Sequence, residues 1–237
     1  MLPLRHTASH PALPLRWPVA TALAALLLAG CATKPVPPLP ATPAKASASR
    51  AVPPATAEQR AAFVSCLDSL RPSALAAGIT SASYARHTEG LQPDVSVLEH
   101  LDRQPEFTLP IWDYLSGLVD EERVELGRAR LAEHGQTLTQ ISQRFGVPAE
   151  AVVAVWGVES NFGQTTGTYP LLQSLGTLSC MGRRQPFFRG EFLATLRILQ
   201  AGDVAPERLI GSWAGAFGQT QFMPTTYERL AIDFDGD

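Results

Sequence analysis

The sequence predicts a mainly α-helical domain in residues 58–237, from three observations. Apolar residues recur at helical spacing, several segments carry helix start signals, and alternating strand patterns are scarce. The chain has 237 residues, of which 45% are hydrophobic, so a sizeable core can be buried.

The first two helices are predicted from periodicity and from charge. Phe63, Leu67 and Leu70 are spaced four and three residues apart, on one helix face. The segment 120–134 has an acid-rich first turn and basic residues later, which matches the helix dipole.

Three further helices are predicted from proline start signals and amphipathic spacing. Pro148 opens the first, which continues through the apolar segment Ala151–Val158. The valines would also fit a buried strand, but the proline start and the lack of alternating polar residues favour a helix. The others cover Phe187–Gln200 and the segment from Pro224 to about Ile232.

The first 30 residues are predicted to be an export signal. Arg5 and Arg16 give a positive start, and the stretch Val19–Ala29 is apolar except for Thr21. Such a stretch is too short to span a bilayer but typical of a signal-peptide core.

The segment Leu28-Ala29-Gly30-Cys31 resembles the bacterial lipobox, after which the new N-terminal cysteine is acylated. The alternative is an ordinary cleaved signal with an incidental Cys31. Ala32 is not the Asp that usually retains such lipoproteins at the inner membrane. The resemblance therefore implies a lipid anchor in the outer membrane, with the protein facing the periplasm.

Residues 31–57 are predicted to be a tether. Residues 31–56 contain seven prolines among Ala, Thr, Ser and Lys, and such a composition cannot bury a core. A tether on a membrane lipoprotein points to a substrate held away from the membrane, and the cell wall is the obvious candidate.

The charge of residues 58–237 excludes some function classes. This segment has 14 Arg, no Lys and 22 acidic residues, a formal net charge of −8, which argues against nucleic acid as a partner. Three cysteines without a CxxC pair argue against a zinc module.

Glu159 is the main candidate for chemistry, because it follows the apolar run Val152–Val158. If its carboxyl is buried there, desolvation raises its pKa, and a protonated acid can serve as a general acid. The alternative is a helix-terminal Glu that reaches solvent or an Arg. The turn predicted at Ser160–Gly163 places Glu159 at a helix-to-loop junction.

Two motifs make the chain resemble a known family. Gly157–Gly163, GVESNFG, resembles the catalytic segment of the lytic murein transglycosylases. Gly211–Pro224, GSWAGAFGQTQFMP, resembles the membrane-bound lytic murein transglycosylase B family, as do Leu175–Ser179 and the pair Arg183-Arg184. The resemblance covers about residues 58–237 and implies a lysozyme-like helical fold.

The resemblance implies an enzyme that acts on peptidoglycan glycan strands. It would cleave the β-1,4 bond between N-acetylmuramic acid and N-acetylglucosamine and leave a 1,6-anhydro end. Hydrolytic glycosidases need two carboxylates. In this family one Glu, here Glu159, serves as both acid and base, and no cofactor is required.

The resemblance also implies binding residues in the cleft. Ser212 and Gln221 match positions that hydrogen-bond the muramic acid residue, although loop or cap roles are the alternative. Arg183 and Arg184 match a place at the saccharide cleft, where an Arg pair could bind carboxylates. A solvated face is the alternative for that pair.

The chain ends in Asp233-Phe234-Asp235-Gly236-Asp237, which occupies the first alternate positions of an EF-hand-like loop. Oxygen ligands at this spacing suit a structural Ca²⁺, but the later bidentate acid is missing. A solvated acidic terminus is the alternative. The chain stops within this loop, so we expect the catalytic domain to be incomplete at its C-terminus.

With Cys31 assigned to lipid, Cys66 and Cys180 remain. An oxidising periplasm permits a disulfide between them, and two buried thiols are the alternative.

Two other functions compete with the transglycosylase. A muramidase-type hydrolase would release reducing ends instead of anhydro ends. A non-catalytic peptidoglycan-binding lipoprotein would show no turnover. Cell-wall synthesis complexes are a further class of candidate partner.

The lipobox generates a prediction. Cys31→Ser should abolish membrane association, because it removes the residue that is acylated. Radiolabelled palmitate should enter the parent protein and not the variant. Equal labelling of both would contradict the lipid assignment.

Overall fold

A computed structural model describes residues 54–102, 109–234 and 236 of the chain. The predicted signal peptide, Cys31 and nearly all of the predicted tether lie outside the described residues. Within the described part, every helix is too short or too polar to span a membrane.

Helices dominate the described residues, which confirms the predicted fold class. The α-helices are α1 Ala57–Ala76, α2 Ser81–Thr88, α3 Ile111–Leu118, α4 Glu121–Glu133, α5 Gly135–Phe145, α6 Ala149–Ser160, α7 Leu171–Met181, α8 Gln185–Ala201 and α9 Pro224–Leu230. Short 3-10 helices cover Val95–Asp102 and Pro206–Arg208, and the strands are β1 Tyr169–Pro170 and β2 Ile210–Gly211.

The helix boundaries follow local signals in the sequence. Asp120 caps α4 by accepting the backbone N–H of Arg123 at 2.7 Å, and Thr56 forms a capping box with Gln59 at the start of α1. Pro148 lies one position before α6, as its N-cap rather than its first helical residue. These signals explain why the predicted positions of α1, α4 and α6 agree with the structure. The predicted helices Phe187–Gln200 and Pro224 to about Ile232 also end within about two residues of α8 and α9.

The described residues form two hydrophobic cores, and the larger one lies around α7, which packs mainly against α8 and to a lesser extent against α1. Ser174, Gly176, Thr177 and Ser179 are buried there although they are small or polar. Thr177 and Ser179 donate their hydroxyl hydrogens to backbone carbonyls one turn back, at 2.7 and 2.6 Å. Their polar groups are therefore satisfied, so α7 can be buried on nearly every side.

A disulfide joins α1 to α7 in this core. The sulfur atoms of Cys66 and Cys180 lie 2.02 Å apart, and the bond links positions 114 residues apart in the sequence. Of the two alternatives that the sequence leaves open for these cysteines, the structure has the disulfide.

The smaller core lies between α4, α5 and α6. Its buried residues are Leu138, Val153 and Phe162, with Leu126 and Trp156 packed against them. Helix α6 thus belongs to the smaller core, whereas α7, which follows it in the chain, belongs to the larger one.

The two strands form a short antiparallel pair, with Tyr169 opposite Gly211 and Pro170 opposite Ile210. This pairing places the segment Gly211–Met223 beside the loop that connects α6 to α7.

The long-range disulfide generates a prediction. Replacing Cys66 and Cys180 by Ala should lower the free energy of unfolding by about 4–5 kcal/mol, because the bond restricts the unfolded chain across a long loop. Urea unfolding measures this loss, and the reduced parent protein should match the double variant. Thiol labelling of denatured protein isolated without reductant provides the check, and two free thiols would contradict the bond.

Candidate active site

Glu159 lies in the last turn of α6, and its side chain is exposed. Residues three, four and seven positions apart share a helix face, so Glu159 lies on the same face as Trp156, Val155 and Val152. Its carboxylate forms no hydrogen bond or ion pair with any residue that the structure describes.

The expectation that Glu159 is buried among apolar residues is therefore wrong for the described structure. Val155 and Val158 are 53% and 40% exposed, and the buried residues of α6 are Val153, Gly157 and Ser160. Since only one stripe of the apolar run is buried, the run does not place this carboxyl in an apolar environment. The alternative that the sequence left open, a helix-terminal Glu reaching solvent, describes its position.

The helix end that carries Glu159 is fixed by its neighbour. Ser160 is 1% exposed, and its hydroxyl oxygen accepts the N–H of Gly163 at 2.9 Å. The same hydroxyl donates to the carbonyl of Trp156 at 3.3 Å, and the carbonyl of Ser160 accepts the N–H of Thr165 at 2.8 Å. One buried serine thus connects the last turn of α6 to the loop that follows.

The turn after Ser160 has a strained backbone, which confirms the predicted turn. Asn161 and Phe162 have φ angles of 48° and 57°, a region that non-glycine residues seldom adopt. The conformation turns the Phe162 ring back onto α6, where a Cβ at position 157 would lie 2.7 Å from its Cζ atom. Gly157 is therefore required for this turn, which explains why GVESNFG occurs as a unit.

The second motif forms a looped segment beside this turn over Gly211–Met223, and its last residue, Pro224, begins α9. Ser212 donates its backbone N–H to the carbonyl of Ala216 at 2.7 Å, and its hydroxyl oxygen accepts the N–H of Ala216 at 3.0 Å. Ser212 therefore closes a loop and does not cap a helix. Its hydroxyl hydrogen is not used in these contacts and can be donated to a ligand.

Gln221 connects this looped segment to the loop that follows α6. Its backbone has a positive φ of 47°. Its side-chain amide donates to the carbonyls of Thr166 and Gly218, at 3.1 and 2.8 Å. The amide oxygen is the group that remains for a ligand.

Gln219 forms another connection that the sequence analysis missed. The indole N–H of Trp156 donates to the Oε1 atom of Gln219 at 2.6 Å. Gln219 is part of the quoted motif, but no spacing rule links it to a residue 63 positions earlier.

The loop that follows α6 and the second motif also approach each other closely at the backbone. A Cβ at Gly167, whose φ is 101°, would lie 2.1 Å from the carbonyl carbon and oxygen of Gly211. A Cβ at Gly211 would lie 2.1 Å from the carbonyl oxygen of Ala216. Gly211 of the second motif therefore allows close packing between segments of the backbone.

An open groove of about 490 Å³ separates α6 from the second motif. It is lined by Val147, Ala151, Val152, Val155, Trp156, Gln219, Thr220 and Phe222. Val152, Val155 and Trp156 share the helix face of Glu159, so the apolar floor of the groove leads toward that carboxylate.

Arg183 and Arg184 lie at the other end of α7, which at 11 residues separates them from β1 by roughly 16 Å. Arg183 donates to the carbonyl of Leu101 at 3.0 Å. Arg184 lies over the ring of Phe187 at 4.7 Å. Both arginines are exposed, as both the binding and the solvated alternatives require.

The predicted calcium loop is described only in part. The Oδ1 atom of Asp233 accepts the N–H of Gly236 at 2.7 Å, and the side chain is exposed. Asp235 and Asp237 lie outside the described residues. Among the described residues there is no group of three His, Cys, Asp or Glu side chains that could hold a metal ion.

The sequence of the chain matches a known protein family. The family described as transglycosylase SLT domain matches residues 62–237, about three quarters of the chain. The chain belongs to this family. Family membership agrees with the resemblance found in the two motifs, and the lysozyme-like helical fold is confirmed.

Individual relatives give the same assignment. The chain is 35% identical over 125 residues to the membrane-bound lytic murein transglycosylase B of Escherichia coli K12, a match that covers 52% of this chain and 35% of that protein. SltB3 of Pseudomonas aeruginosa, solved in complex with NAG-anhNAM-pentapeptide, is 50% identical with a TM-score of 0.69. That match covers 74% of this chain and 47% of SltB3.

A third relative was solved with a metal ion. The lytic transglycosylase Slt35 of Escherichia coli, in complex with calcium, is 29% identical with a TM-score of 0.64 over 75% of this chain and 56% of that one. The chain spans between about a third and three fifths of the length of these transglycosylases.

The backbone contact generates a prediction with an internal control. Gly167→Ala combines a positive φ with a clash and should lower the free energy of unfolding by about 3 kcal/mol or more. Gly202→Ala, at a φ of 84° with nothing within 4 Å of the added Cβ, should cost only about 1–2 kcal/mol. Urea unfolding of both variants measures the difference, and equal losses would show that the Gly211 contact is unimportant.

Proposed function

We propose that this SLT-family chain carries the catalytic site of a lytic transglycosylase, which cleaves the bond between N-acetylmuramic acid and N-acetylglucosamine in peptidoglycan. The observation that carries the proposal is the setting of Glu159. Its carboxyl is exposed at a helix end that Ser160 connects to the following loop by hydrogen bonds, on the helix face that lines the groove. The neighbouring segments 161–168 and 211–223 contain no Asp or Glu.

The absence of a second carboxyl from these two segments favours the intramolecular reaction over hydrolysis. Hydrolytic glycosidases pair the acid with a second carboxylate, which acts as a base or as a nucleophile. In the proposed reaction Glu159 donates its proton to the glycosidic oxygen, and the bond between that oxygen and C1 breaks. The substrate's own N-acetyl group stabilises the positive charge at C1.

The second half of the reaction returns the proton to Glu159. Its carboxylate removes the proton from the sugar's 6-hydroxyl, and the 6-oxygen bonds to C1 to close the 1,6-anhydro ring. The enzyme ends in its starting protonation state, and water is not consumed. One residue in both roles suffices because the nucleophile belongs to the substrate.

The groove and the two motif residues would bind the glycan. The ring of Trp156 and the side chains of Val155 and Phe222 offer apolar surface for sugar rings. In this proposal the Ser212 hydroxyl donates to the muramic acid residue and the Gln221 amide oxygen accepts from it. SltB3 has been solved with NAG-anhNAM-pentapeptide and with NAG-NAM-pentapeptide.

The arginine pair would extend recognition beyond the sugars. Arg183 and Arg184 are exposed cations at the end of α7 away from β1. Guanidinium groups bind carboxylates bidentately. We propose that they bind carboxylates of the lactyl group or the stem peptide.

We propose that the protein works from the periplasmic face of the outer membrane, anchored through Cys31. The lipobox and the proline-rich segment support this placement, and the Escherichia coli relative is named membrane-bound. Calcium at Asp233, Asp235 and Asp237 stays a prediction with a structural role only, and so do contacts with cell-wall synthesis complexes.

The proposal predicts the effect of Glu159→Gln in the full-length protein. Gln has nearly the same shape but can neither donate nor accept the catalytic proton. Release of anhydro-muropeptides from purified sacculi should fall by about 10²–10⁴-fold or more. The fold should survive, because the Glu159 side chain has no partner among the described residues.

Glu150→Gln is the matched control, because Glu150 is exposed on the opposite face of the same helix. It should retain the parent's turnover, and both variants should still pellet with sacculi. Turnover by Glu159→Gln above about a tenth of the parent's would mean that Glu159 is not the catalytic acid. Reducing ends in place of anhydro ends would instead indicate a muramidase, and a parent that binds sacculi without turnover would indicate a binding protein.

A further inference from the structure

Gln219 lies where the two motifs meet, and none of the roles given above to Glu159, Ser212 and Gln221 involves it. Its Oε1 atom accepts the indole N–H of Trp156 at 2.6 Å, which joins the looped segment Gly211–Met223 to α6. Gln219 is otherwise exposed, so this hydrogen bond is its main side-chain contact with the helix.

The turn after Glu159 has a glycine, Gly163, where it contacts the Gln219 side chain. A Cβ at Gly163 would lie 2.8 Å from the Oε1 atom of Gln219 and 2.9 Å from its Cδ atom. The amide group therefore occupies space that only a glycine leaves open. It is held between the indole on one side and the backbone of the turn on the other.

Trp156 belongs to α6, the helix that carries Glu159, so its hydrogen bond to Gln219 connects that helix to the second motif. It lies one turn before Glu159 on the same helix face, and its ring packs edge-on against Phe162 at 5.5 Å between ring centroids. His134 and Arg130 contact the same ring, at 5.6 and 5.8 Å. Since these neighbours fix the indole, a hydrogen bond to its N–H defines where the second motif lies relative to the end of α6.

We propose that Gln219 is a positioning residue for the reaction. By accepting the indole N–H of Trp156, it sets the spacing between the helix end that carries Glu159 and the segment that carries Ser212 and Gln221. This role rests on the proposed function, and it acts through Trp156 without contact with the reacting atoms.

The expected signature follows from geometry. A shift of about 1 Å between an acid and the bond that it protonates can cost about 100-fold in rate. Loss of one hydrogen bond at an exposed side chain should leave the rest of the groove available to the glycan. Variants of Gln219 should therefore lower kcat more than they weaken binding.

The test uses four variants of the full-length protein and a fifth as a control. Gln219→Met keeps the length of the side chain and removes the strong acceptor, whereas Gln219→Glu keeps an acceptor oxygen. Trp156→Phe removes the donor, and the double variant Gln219→Met with Trp156→Phe completes a cycle. Gln140→Met, at an exposed position of α5, is the control for the substitution itself.

We expect Gln219→Met to lower kcat for anhydro-muropeptide release by about tenfold, with pelleting on sacculi largely retained. Gln219→Glu should restore most of the rate, and Gln219→Met should cause no further loss when Trp156 is already Phe. An unchanged kcat in Gln219→Met would overturn the proposal. An equal loss with and without Trp156 would also overturn it, because the residue would then act on the sugar directly.

The indole N–H resonance of Trp156 gives a readout that does not depend on activity. Gln219→Met should shift this resonance, Gln219→Glu should keep it hydrogen-bonded, and Gln140→Met should leave it in place. An unshifted resonance in Gln219→Met would contradict the hydrogen bond itself. If the parent shows no turnover, the proposed function fails and this role fails with it, whereas an active parent with an unaffected Gln219→Met overturns this role alone.

Discussion

The site depends on how closely two segments of backbone approach each other. Gly167 and Gly211 lie so near that a single Cβ on Gly167 would overlap the peptide carbonyl of Gly211. Their contact continues the strand pair that begins at Tyr169, and it brings together two motifs some 50 residues apart. The contacts of Gln221 with Thr166 and of Gln219 with Trp156 depend on this approach, because a glutamine side chain reaches only to an adjacent segment of backbone.

The sequence predicts the helices that have clear local signals and misses those whose pattern comes from tertiary packing. Asp120 and Pro148 mark the starts of α4 and α6, since capping and proline stereochemistry act within one turn. Helix α7 gave no amphipathic pattern, because it is buried on nearly every side and its hydroxyls bond to its own backbone. Burial of that kind is decided by packing against α8, the next helix in the chain, and against α1, which lies far earlier in the sequence.

The candidate residues of the site could be named from the sequence, but their environment could not. Glu159 and the turn after it follow from an apolar run that ends in a polar residue and a glycine-containing turn. The exposure of Glu159 did not follow, because an apolar run does not show which of its faces packs against the core. In α6 only the stripe of Val153, Gly157 and Ser160 is buried. Gln219 could not be found from the sequence, since its partner lies 63 positions away and is defined only by the fold.

The division into two cores explains why the connections across the groove matter for function. The larger core is extensive and is crossed by the disulfide between Cys66 and Cys180, whereas among the described residues the buried part of the smaller one consists of Leu138, Val153 and Phe162. A part of a protein with few buried contacts opens at a lower free-energy cost than the part with many. Glu159 lies on a helix of the smaller core and the second motif packs on the larger one, so the geometry of the proposed reaction would rest on the hydrogen bonds and backbone contacts between them. A glycan that fills the groove would contact both sides and add to those connections, so substrate binding itself would help to order the site.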